Sequence, residues 1–118
     1  MENHPKNPGE AALSPRSTRA VATFAARIRA MFPACPEATA REAALRWSLA
    51  CPPRLQEREA RVTHDETVRN ALIEHVRWTM TDWSARVEAG RTNPLVKKLV
   101  SARVREILEG WKGAKTVP

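Results

Sequence analysis

Glycine and cysteine are both scarce in this chain: four glycines and two cysteines in 118 residues. Ala and Arg, both good helix formers, are plentiful, so a shortage of Gly outside candidate helix ends leaves an all-α composition. Cys35 and Cys51 have no His or Cys near them to complete a four-ligand set, so the chain offers no structural zinc site. Buried free thiols are the expectation; a disulfide between them requires a geometry that a sequence does not contain. Nothing marks an oxidising compartment. No apolar run approaches the ~20 residues of a membrane helix, and the N-terminus has polar residues and Pro where a signal peptide carries its apolar core. A cytoplasmic protein with no membrane partner is expected. Acidic residues are also in deficit, 13 against 20 Lys and Arg, and the net charge of +7 favours a polyanionic partner. There is no Gly-rich phosphate loop, no nucleophile motif around either Cys, no internal repeat and no low-complexity segment. The expectation is a non-catalytic protein without cofactor or metal.

What is present is helical periodicity around one stretch. Thr63 and Glu66 have capping-box spacing, and Val68, Leu72, Val76, Thr79, Trp83 and Val87 recur every three or four residues up to Gly90. This spacing predicts one long central helix over about 64–89, closed by a left-handed Gly90. Ser14 with Pro15 opens a first helix carrying Val21, Phe24, Ala25, Ile28, Met31 and Phe32, which Pro33 must end. Pro36 opens a second helix to about Ala50, with Ala40, Ala44, Trp47 and Cys51 as a thin stripe. Arg54 to Val62 is strongly charged around a lone Leu55 and is expected to be a loop. Asn93 with Pro94 opens the last helix, whose apolar face is Val96, Leu99, Val100, Val104, Ile107, Leu108 and Trp111. The sum is a compact bundle of four to five helices, a single domain over 14–112. An N-terminal tail (1–13) has too little apolar surface to order itself, and a short C-terminal tail covers 113–118.

Two groups of residues are candidates for function. On the central helix, Ala71, His75, Trp78 and Asp82 form a second stripe, read either as packing with His75 hydrogen-bonded inside, or as an exposed Trp78 beside Arg77 that stacks on a base or a partner. On the last helix Lys98, Ser101, Arg105 and Lys112 follow one side, widened by Lys97, Arg103 and Lys115; Arg69 and Arg77 can extend this basic surface, as can Arg16, Arg19, Arg27 and Arg29. Such a surface either is simply solvated or tracks phosphates.

The run Phe32-Pro33-Ala34-Cys35-Pro36, the run His75 to Trp83, and then Gly90, Val104, Ile107, Leu108 and Trp111 resemble a small helical family, domain of unknown function 2293. The resemblance covers about 24–111. That family's central helix carries a His-x-x-His-Thr-His-Thr-Asp-Tyr-Asp type of run. Here His75, Arg77, Thr79, Thr81 and Asp82 match it, while Trp78 and Met80 replace His and Ser84 replaces Asp. The resemblance implies that any metal or acid–base site of the family is largely lost here, since His75 and Asp82 alone cannot assemble one. The leading expectation is therefore a small basic subunit that binds RNA or DNA by backbone charge, inside a larger nucleoprotein complex. A protein-binding adaptor or inhibitor docking on an acidic partner through Trp78 and Met80 comes second, and an enzyme of unknown chemistry third.

Overall fold

The computed structural model describes residues 14–113; the tail expected over 1–13 and most of the C-terminal one lie outside them. Six helices follow in order and no strand occurs among the described residues: α1 (Pro15–Met31), α2 (Glu37–Ala50), α3 (Pro53–Val62), α4 (Asp65–Met80), α5 (Trp83–Glu88) and α6 (Pro94–Lys112). The all-α bundle is as expected from composition and periodicity. None of these helices is long and apolar enough to cross a membrane.

Proline and cap chemistry set most boundaries. Ser14 accepts a hydrogen bond from the Ser17 amide at 3.1 Å, with Pro15 in the first turn of α1. Phe32 ends that helix with φ −132° and ψ 78°, outside the helical region that a following Pro disfavours. At the far end, Asn93 Oδ1 accepts from the Val96 amide at 2.9 Å to open α6. Gly90, at φ +72°, stops α5: its amide donates to the Val87 carbonyl and the Arg91 amide to the Arg86 carbonyl, the two bonds of a Schellman ending.

α1 lies against α2 and α3 and touches α4, α2 also packs on α4, and α6 packs on α4. Phe24 of α1 stacks on Trp47 of α2 at 4.2 Å between ring centroids, in a core that includes Val21, Ile28, Phe32, Val68, Leu72 and Val76. Ala40, Ala43 and Ala44 are fully buried on α2, and their short side chains let it approach α1 closely. Cys35 is buried and Cys51 half-buried, both as free thiols.

Three sequence expectations are corrected. Arg54 to Val62 is not a loop but most of α3. Pro53 occupies its first turn, and the buried Gln56 side chain donates to the Ser48 and Cys51 carbonyls, satisfying the end of α2. Thr63 does not cap the central helix, because its amide still donates to Glu59 O at the end of α3; His64 is the N-cap of α4 and makes no side-chain cap bond. The long helix over 64–89 is two helices. The Thr81 hydroxyl donates to the Arg77 carbonyl at 2.5 Å and accepts from the Trp83 amide at 3.1 Å, so it closes α4 and opens α5 from an extended backbone. Val87, assigned to the buried face of that helix, is exposed as a result.

Candidate functional site

α4 and α6 each carry a row of residues four apart. Arg69, Ile73 and Arg77 occupy one row of α4, and Lys97, Ser101 and Arg105 one row of α6, continued by Leu108 and Lys112. The buried ridge Val96, Val100, Val104 and Leu108 seats α6 and turns its basic row towards α4. Between the rows runs a groove of about 420 Å³. Phe32, Ile73, Val104 and Leu108 give it apolar lining, and Arg69, Arg77, Arg105, Lys112, Ser101 and Glu109 give it polar lining. Four cations thus line it against one carboxylate.

Their partners differ. Arg77 pairs with Glu74 at 2.6 Å and Lys112 with Glu109 at 3.6 Å, both exposed one-turn pairs on a single helix, which contribute ~0–1 kcal/mol and are readily exchanged. Arg69 and Arg105 have no hydrogen bond or ion pair among the described residues. The basic residues of α1 behave otherwise. Arg16 and Arg19 pair with Glu57, Arg27 with Asp65 and the Ala60 carbonyl, and Arg29 with the Cys35 carbonyl. They tie α3, α4 and the α1–α2 turn to α1 and do not extend the groove. Lys97 and Lys98 are exposed on α6 outside the groove lining, Lys97 one turn beyond Ser101 on the same row. The apolar face expected for α6 needs one correction: Leu99 is 56% exposed, because the ridge of residues four apart, not the wider stripe, faces α4.

The second stripe divides. His75 is 4% exposed; its Nδ1 accepts from Arg46 Nε at 3.3 Å and its Nε2 lies 3.6 Å from Glu42 Oε1. Burial first, and the Arg46 guanidinium second, hold its pKa below the ordinary histidine value. It is an interior histidine between α4 and α2. Asp82 is exposed and bonded to Arg86 Nε at 2.9 Å, which keeps its carboxyl below the usual range. The two therefore have separate partners. Trp78 is 38% exposed, donates from Nε1 to Glu74 at 3.1 Å and meets Trp83 edge-on at 6.3 Å. Among the described residues no three His, Cys, Asp or Glu side chains gather as a metal set.

Sequence reasoning did not find the apolar floor of the groove. Its signal was present in Arg69-x-x-x-Ile73-x-x-x-Arg77, which puts an apolar residue between two cations on one row.

A family model described as an uncharacterized conserved protein, DUF2293, matches residues 27–112. That span includes α2 to α6 and every residue lining the groove. No curated protein and no solved structure gives a match.

Proposed function

The chain belongs to the uncharacterized DUF2293 family, and from that premise we propose that it is a small non-catalytic nucleic-acid-binding subunit of a nucleoprotein complex, holding backbone phosphates along the α4–α6 groove. The observation that carries this reading is the convergence of Arg69 and Arg105, without acidic partners among the described residues, with Arg77 and Lys112. Guanidinium forks suit phosphate oxygens, and the exposed pairs of Arg77 and Lys112 give way to a phosphate at small cost. Two free thiols are in keeping with a cytoplasmic setting.

Four phosphate contacts correspond to a log–log salt slope of about −3 for single strands, or roughly 50-fold weaker binding between about 50 and 200 mM salt. Fluorescence anisotropy of labelled RNA and DNA across a salt series tests this, with Arg69→Glu/Arg105→Glu as the groove variant and Lys98→Glu as the variant outside it. The groove variant should abolish binding and Lys98→Glu should weaken it modestly. Absence of binding at low salt, or equal losses in both variants, overturns the proposal.

A protein-docking reading has one observation in its favour: exposed Met80 and Leu99 flank a second groove with Asp82, Arg86 and Arg103. Saturable binding to one protein, lost in Met80→Asp and intact in Arg69→Glu/Arg105→Glu, is its signature.

A further inference from the structure

The α4–α6 groove differs from a bare phosphate track in having an apolar floor. Phe32 and Val104 are almost wholly buried beneath it and Ile73 is half-buried in its wall. Its volume of about 420 Å³ is in the range of small-ligand sites, which pair an apolar lining with a few convergent polar groups. A phosphate held on Arg69 and Arg105 alone leaves the exposed side of Ile73 in water. A duplex fares no better, because its bases are stacked and paired, and only its backbone reaches the rim.

We infer that the groove takes one unstacked nucleotide of a single strand, its base on the Ile73–Val104 floor and its flanking phosphates on Arg69 and Arg105. This rests on the nucleic-acid reading above and names the form of the ligand. A base brings a flat face that apolar atoms and guanidinium planes accept alike, irrespective of its identity, so the site is single-strand-selective with little sequence preference. The two arginines stand on opposite walls, so a strand crossing the groove from α4 to α6 meets one before the base and one after it.

The test compares two single strands of equal charge, one normal and one abasic, each about 12 nucleotides and so within the roughly 4–16 nucleotide span of single-strand sites, with a duplex of the same length per strand, which carries about twice the charge. Ser101→Leu crowds the groove without altering charge or adding an aromatic stacking face; Ser101 is exposed, and circular dichroism checks that the variant folds. The expected result is a normal strand bound roughly tenfold or more tighter than the abasic strand and the duplex, the return for burying and stacking one base. Ser101→Leu should remove that margin and keep the salt slope. Equal binding of normal and abasic strands, with a steep salt slope, overturns base insertion and leaves the phosphate reading standing. If no oligonucleotide binds at low salt, both fall, and capture of an acidic Phe-containing peptide in the groove then assigns it to a protein partner.

Discussion

His75→Gln should flatten the dependence of stability on pH between about pH 5.5 and 7.5. A guanidinium only donates, so His75 Nδ1, which accepts from Arg46 Nε, carries no proton, and the neutral ring holds its single proton on Nε2 towards Glu42. Protonating Nδ1 breaks that bond and charges a buried ring beside a cation, which is why the pKa is lowered in the folded chain. The unfolded chain therefore takes up this proton first as the pH falls. Stability from this residue is complete above the ordinary value of 6.5 and declines below it, down through the lowered folded value. One proton limits the slope to about 1.4 kcal/mol per pH unit, so a pH one unit below the unfolded pKa costs at most about 1.4 kcal/mol. Urea denaturation followed by tryptophan fluorescence at both pH values measures this loss. His75→Gln keeps an acceptor for Arg46 and cannot titrate. Arg46→Met removes a charge that lowers the pKa and should reduce the loss; Glu42→Gln removes one that raises it and should increase the loss. Both partners are exposed, so solvent screening keeps these opposite changes to a few tenths of a kcal/mol. A wild-type slope in His75→Gln, or changes of the same sign in the two partner variants, refutes the reasoning.

Gly90→Ala meets no atom within 4 Å of its new Cβ, so its cost is the left-handed backbone alone, about 1–2 kcal/mol by chemical denaturation; Gly90→Asn should recover part of it. Phe24→Ala removes a fully buried ring and its stack on Trp47 and should cost about 3–5 kcal/mol, lowering the thermal midpoint sharply. Burial raises the Cys35 thiol to about 11, so mass-mapped alkylation at neutral pH should leave it unmodified in the folded protein and label it after denaturation. Rapid labelling of native Cys35 refutes that reading.

Sequence made α1, α2 and α6 legible because Ser14, Asn93 and the prolines state their boundaries locally. α3 was hidden, since the residues that seat it are the buried Gln56, bonded to the end of α2, and the fully buried Ala60, too few to show an apolar period. Thr63 carries the chemistry of an N-cap, yet α3 runs through to its amide, and only the three-dimensional path decides between the two. The break at Thr81 is a competition within one side chain, whose hydroxyl serves both helices; hydrophobic spacing does not register it. The same division holds for the site. Each basic row could be read from one helix, whereas their crossing needed the packing of α6 on α4. The arginines of α1 look equivalent to Arg69 and Arg105 in sequence, and only their partners separate them.

The Ala34 amide donates to the Trp111 carbonyl at 2.9 Å, pinning the last turn of α6 to the loop after Phe32, while the helix otherwise packs mainly on α4. Because the groove needs both walls, it vanishes whenever α6 lifts away. Apparent affinity is then the intrinsic affinity scaled by the docked fraction, and a bound ligand protects α6 amides from hydrogen exchange in proportion to its saturation. Ala34→Pro, which deletes this donor and disturbs the turn from Phe32 to Cys35, should loosen α6 and weaken the groove. For the ligand proposed above, binding and any local unfolding of α6 would be one equilibrium, read from two ends.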